Sequence, residues 1–145
     1  MIIWIGIDVS KSYLDAAWIE NGKRVHKRVR NSKKGFAELM ALVPQTPHFV
    51  MEATGTYYFN LALFLHQAGC FVAVVNPAQI KHHIKSDLSR SKSDKSDAFS
   101  IAKFGQEKSP SPWKPHEREV YELRQLLTLD AKLQQMKVQF TNMVE

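Results

Sequence analysis

The chain has 145 residues, 44% of them hydrophobic and 23% charged, a composition that folds as a globular protein and excludes wholesale disorder, collagen-like repeats and two full enzymatic domains. No apolar run approaches the ~20 residues that span a bilayer. Met1 leads into a strand-like segment rather than a signal peptide, and a lone Cys70 permits neither an intramolecular disulfide nor a thiolate zinc cluster, so a cytoplasmic chain with no membrane partner is expected. The formal charge of +6 favours polyanionic partners.

Ile3, Ile5, Ile7 and Val9 alternate with Trp4, Gly6, Asp8 and Ser10, which predicts a first strand carrying Asp8 on the face opposite the isoleucines. Residues 13–20 read as a second strand, Asn21-Gly22 as a type I′ hairpin turn, and residues 23–30 as a third strand. Phe36, Leu39, Met40 and Val43 then recur at helical spacing, after the capping candidates Asn31 and Ser32 and before the stop at Pro44. A strand over 48–52 and a helix over 57–67 closed by Gly69 follow. Residues 70–75 form an unbroken apolar strand suited to a sheet covered on both faces, and Asn76-Pro77 opens another helix. Residues 86–92 read as a loop, with Ser93 capping a helix to about residue 108. The prolines at 110, 112 and 115 end that helix, giving a domain over 1–108 and a Pro-rich linker over 109–116. From 117 to 145, Leu126, Leu129, Leu133, Met136, Phe140 and Met143 repeat at alternating spacings of three and four. That is the seam of a coiled coil, which calls for a partner helix and points to a homo-oligomer. The pattern still runs at Glu145, so a truncated piece of a longer protein is expected.

Twelve of the twenty basic residues fall in two short segments. One holds Lys23, Arg24, Lys27, Arg28, Arg30, Lys33 and Lys34 with no acid among them. The other holds Lys81, Lys85, Arg90, Lys92 and Lys95. Any one charge run reads as a solvated face, but two in a small chain point to phosphate binding.

The element order, strand, hairpin, strand, helix, strand, helix, strand, helix, is that of the ribonuclease H-like α/β fold: a mixed five-stranded sheet with helices on both faces. In that fold metal-binding carboxylates sit on the first strand, the fourth strand and a late helix. Asp8 and Glu52 fall at the first two places, and Asp94 and Asp97, three residues apart, would share one face of a helix. Converging carboxylates repel and raise one another's pKa unless a cation neutralises them, so the cluster implies hard divalent ions. Two magnesium or manganese ions about 3.5–4 Å apart would activate a nucleophile and stabilise the leaving oxygen of a phosphodiester. Singly, each carboxylate has an ordinary structural role at a strand end, turn or helix N-terminus. Their joint placement carries the metal reading, and Asp15, Asp87 and Asp130 lack that support. Adjacent His82 and His83 diverge on a helix and make a poor metal pair. Ser10 and Gly55 read as turn residues, and Tyr57-Tyr58 as core or surface aromatics before base-stacking ones.

The strings Gly6-Ile7-Asp8-Val9-Ser10-Lys11, Met51-Glu52-Ala53-Thr54-Gly55, Val75-Asn76-Pro77 and Lys92-Ser93-Asp94-Lys95-Ser96-Asp97-Ala98 resemble the DEDD transposases of bacterial insertion sequences. That family includes the pilin-gene-inverting recombinases, and the resemblance covers nearly everything up to residue 108. It implies a Holliday-junction-resolvase-like catalytic domain whose metal-binding tetrad is Asp8, Glu52, Asp94 and Asp97. It further implies a C-terminal domain, joined by long coiled-coil helices, that supplies a serine for strand exchange and is missing here. The family usually has threonine where this chain has Ser93. It also resembles recombinases guided by a transposon-encoded structured RNA, so such an RNA is a candidate partner beside DNA. The expected function is metal-dependent cleavage and strand transfer in DNA transposition. Lys11, Arg90, Lys92 and Lys95 would steer the backbone, and Lys23, Arg24, Lys27, Arg28 and Arg30 would contact phosphates. The competing expectations are a stand-alone junction-resolving nuclease, an actin-like or sugar-kinase ATPase, for which the chain lacks room for a second lobe, and a non-catalytic nucleic-acid-binding and dimerisation module.

Overall fold

In a computed structural model of the chain, residues 2–86, 97–115 and 117–144 are described. Strand β1 (Ile3–Val9) runs antiparallel to β2 (Tyr13–Glu20), which runs antiparallel to β3 (Lys23–Arg30). Asn21 and Gly22 join β2 to β3 with φ values of 52° and 76°, the left-handed pair that a type I′ turn requires. Strands β4 (Pro47–Glu52) and β5 (Phe71–Val75) add in parallel on the other side of β1, giving the order β3-β2-β1-β4-β5. This is the mixed five-stranded sheet expected from the sequence.

Helix α1 (Lys33–Leu42) is capped by Ser32, not Asn31: the Ser32 hydroxyl accepts from the Gly35 amide at 3.1 Å. Helix α2 (Phe59–Gln67) ends in left-handed Gly69, beyond which the Cys70 amide donates to the Leu65 carbonyl. Helix α3 (Pro77–Ser86) starts where the Asn76 side chain accepts from the Ala78 amide at 2.8 Å. Helix α4 (Ala98–Lys108) begins later than the sequence predicts. Asp97 is its N-cap, with extended backbone (φ −95°, ψ 175°), and the carboxylate accepts from the Ser100 amide, the exchange that stops a helix from extending backwards. Ser93, assigned as the cap from sequence, lies outside the described residues. Helix α5 (Glu117–Val144) carries the predicted apolar seam.

The sheet is covered on both faces because its strands alternate. Ile5, Ile7, Leu14, Trp18, Phe49 and Met51 form a core with Phe36 and Leu39 of α1 and Leu61 and Leu65 of α2. On the opposite face Val50, Ala73 and Val75 pack with Ile80 of α3 and Ile101 and Phe104 of α4. β3 is an edge strand studded with Lys and Arg, a composition that discourages pairing with another chain. At the other edge the Trp113 amide donates to the Val72 carbonyl at 2.7 Å, and its ring meets Phe59 and His66 edge-on. The chain divides into Met1–Trp113 and Lys114–Glu145, so the compact unit runs past residue 108 into the proline-rich segment. Among the described residues no helix is long and apolar enough to cross a membrane.

Candidate active site

Parallel pairing places two acids side by side. Ile7 pairs with Met51, so Asp8 and Glu52, the next residues along, stand at the C-terminal ends of adjacent central strands. Alternation puts both on the face that α4 covers, with Gly6 and Val50, and away from the isoleucine core. Gly6 decides how near α4 comes: a Cβ there would lie 2.0 Å from the Ala98 carbonyl oxygen and 2.4 Å from the Ala102 nitrogen. Only glycine admits the first turn of α4 this close to β1, and the N-cap Asp97 is thereby carried to Asp8. Behind the strand ends, the Asn31 amide donates to the Ser10 carbonyl at 2.9 Å and the Tyr57 carbonyl at 3.2 Å, clasping the two loops that follow β1 and β4.

The charges of these acids act on one another. Burial pushes the half-buried Asp8 carboxyl above its usual range, and Asp15, Glu52 and Asp97 push it further, against the pull of Arg28. Glu52 Oε2 accepts from the Thr54 hydroxyl at 3.3 Å. The cap uses only Oδ1 of Asp97, which accepts from both the amide and the hydroxyl of Ser100. A shallow recess of about 320 Å³ includes Asp8, Asp15, His26, Arg28 and Asp97 in its walls. Larger recesses of about 570 and 610 Å³ are lined by none of Asp8, Glu52 and Asp97. Among the described residues no three His, Cys, Asp or Glu side chains are gathered closely enough to form a metal-ligand shell. Asp8 and Asp97 line one recess, Glu52 acts on the charge of Asp8 without being among the recess walls, and Asp94 lies outside the described residues. Asp97 is positioned by its own cap bond at the start of α4.

The basic residues separate into two groups. Lys23 and Lys27 are exposed on β3, and Lys11 is exposed in the turn after β1. Arg24 lies over the Phe99 ring, and Arg28 and Arg30 lie over Tyr13. Arg90, Lys92, Lys95 and Asp87 fall outside the described residues. Ser10 is a turn residue, its hydroxyl donating to the Tyr13 carbonyl at 2.8 Å, and Gly55 takes a left-handed turn at φ 59°. Tyr58 packs on the core while Tyr57 is exposed. His83 is engaged by Glu107 at 2.5 Å, whereas the neighbouring His82 is exposed. Sequence reasoning set Asp15 aside and read Asn31 only as a capping candidate. The hairpin register that sets Asp15 opposite Asp8 was implicit in the alternation of both strands, whereas nothing local marked Asn31 as a clasp.

A DEDD transposase family model matches residues 5–145. Pilin gene-inverting proteins of Moraxella bovis and Moraxella lacunata are 34% and 33% identical over 130 residues, 86% of this chain. The chain spans about 40% of the length of these curated relatives. Among solved structures, T. thermophilus RuvC in complex with Holliday junction substrate is similar at TM-score 0.46 and 13% identity, covering 78% of this chain and all of that one. An Aquifex aeolicus member of the Ppx/GppA family is similar at TM-score 0.33 and 16% identity, covering 57% of this chain and 38% of that one. The sheet order given above rests on the chain's own strand pairings.

Proposed function

We propose, because the chain belongs to the DEDD transposase family, that its compact unit is the metal-dependent catalytic domain of a DNA transposase acting on cytoplasmic DNA. Asp8, Glu52, Asp94 and Asp97 would hold two divalent ions, magnesium or manganese, for phosphodiester cleavage and strand transfer. The observation that carries this reading is that Glu52, at the neighbouring parallel strand end, and Asp97, at a helix cap, lie near enough to raise the pKa of Asp8. The donor set fits such ions: every group is a carboxylate oxygen, the preferred ligand of hard cations, and Asp8 is left at a cost in the folded chain that a cation would relieve.

When bound, the ions would activate the attacking oxygen and stabilise the leaving one. The residues' own work is positional. β1 and β4 fix Asp8 and Glu52 rigidly, the Asn31 clasp holds the loops behind them, and the α4 cap sets Asp97. Lys11, Lys23, Lys27 and the arginines of β3 would bind nucleic-acid phosphate, with Arg90, Lys92 and Lys95; such contacts suit DNA and a guide RNA equally and carry no sequence information. The compact unit, residues 1–108 with the segment up to Trp113 packed on it, would form the catalytic domain, and 117–145 the start of a coiled coil that pairs copies of the chain. A serine-bearing domain beyond it would complete strand exchange.

Manganese titrated calorimetrically into the wild-type chain, into Asp8→Ala and into the double alanine variant at Asp94 and Asp97 tests this. Binding by wild type that is lost in both variants is expected. Binding that survives Asp8→Ala, or no binding by wild type even with DNA present, would leave a nucleic-acid-binding module without a metal site.

A further inference from the structure

Asp15 and Arg28 lie outside the four-carboxylate motif, yet they share its recess. Asp8 is opposite Asp15, and Asp15 is opposite Arg28, so the three stand in one row on one face of β1, β2 and β3. Arg28 grips Asp15 with two bonds, Nε to Oδ1 at 2.9 Å and Nη2 to Oδ2 at 3.2 Å, and His26 Nε2 adds a third contact to Oδ1 at 3.1 Å. Both oxygens of Asp15 are therefore committed within the protein. The guanidinium is not used up: the bonds to Asp15 take two of its five N–H donors, and its side chain is 61% exposed against 19% for Asp15. The Tyr13 ring flanks it at 5.2 Å.

Neutralising Asp15 would need only a cation nearby. A fork locked by a two-bond pair, a histidine on the same carboxylate and an aromatic ring is oriented as well as charged, and an oriented guanidinium matches the geometry of a phosphate. Resting on the metal-site reading above, we propose that Arg28 orients a DNA phosphate at the carboxylate site, and that Asp15 is its positioning residue rather than a metal ligand.

The test uses the whole chain, with manganese affinity measured without DNA and affinity for a labelled duplex measured in manganese from about 50 to 200 mM salt. Arg28→Gln is expected to weaken duplex binding about tenfold and to lower the slope of log affinity against log salt by about one. Arg28→Lys should restore the slope but not the tenfold, because an ammonium cannot form the fork. Asp15→Asn is the sharper variant. Removing a negative charge beside DNA should by itself tighten binding, whereas loss of positioning weakens it several-fold with the salt slope unchanged. All three variants should stay folded and keep Asp8-dependent manganese binding, with affinity shifted no more than a few-fold by the change of one charge near Asp8. Tighter duplex binding by Asp15→Asn, or loss of manganese binding by that variant as complete as in Asp8→Ala, overturns the proposal. Wild-type chain that shows no Asp8-dependent manganese binding instead sinks the metal-site reading itself, before any Arg28 variant is compared.

Discussion

Asp8 is held where its charge is costly. Burial and the neighbouring acids raise its pKa in the folded chain above the ordinary value of 3.8, so the folded state keeps the proton more tightly than the unfolded state does. Stability therefore falls as pH rises from 3.8 through the folded value, and at neutral pH the cost is fully present. Asp8→Asn is expected to raise the melting temperature of the metal-free chain by a few degrees at pH 7, to flatten its acid-side pH dependence, and to abolish manganese binding; thermal melts across pH and calorimetry check this. His48 behaves in the opposite sense. Its ring stacks on Phe71 at 4.1 Å and meets Trp4 edge-on at 4.9 Å, its Nδ1 has no hydrogen-bond partner among the described residues, and burial lowers its pKa. The stability that neutral His48 contributes is present above 6.5 and lost as pH falls through the lower folded value. His48→Phe keeps the stack and removes the orphaned nitrogen, so denaturation at about pH 5 should show a gain of about 1 kcal/mol, shrinking towards pH 7.

At the scale of elements, the seating of α4 on β1 is the contact on which the site depends. Gly6→Ala would force a methyl against the backbone of Ala98 and Ala102, neither of which can turn aside as a side chain can. A loss of about 3 kcal/mol in urea denaturation is expected, together with weakened manganese binding as Asp97 moves away from Asp8. Gly22→Ala is the control. Nothing lies within 4 Å of a Cβ there, so only the left-handed backbone (φ 76°) is penalised, by about 1 kcal/mol, and manganese affinity should stay at the wild-type value.

At the scale of the whole molecule, α5 carries its seam into solvent. Leu126, Leu129, Leu133, Met136 and Phe140 are each more than half exposed, an apolar stripe that a partner helix would cover. Sedimentation equilibrium is expected to show a concentration-dependent dimer, and the double change Leu129→Glu with Leu133→Glu should yield a monomer. The melting of the compact unit Met1–Trp113 should change little, because its described cores are built from residues of β1–β5 and α1–α4.

Local pattern determined much of this protein. The period-two alternation of β1, the Asn-Gly turn and the helix stops depend on neighbours in the chain, and the order of elements limited the sheet to few arrangements, which is why the strands fall within a residue of their predicted bounds. Asp8 and Glu52 were legible for the same reason, since each sits at the end of a readable strand. What tertiary structure alone decided depends on groups far apart in sequence. The approach of α4 to Gly6, the Asn31 clasp and the hold of Arg28 on Asp15 each join segments that no window of sequence contains together.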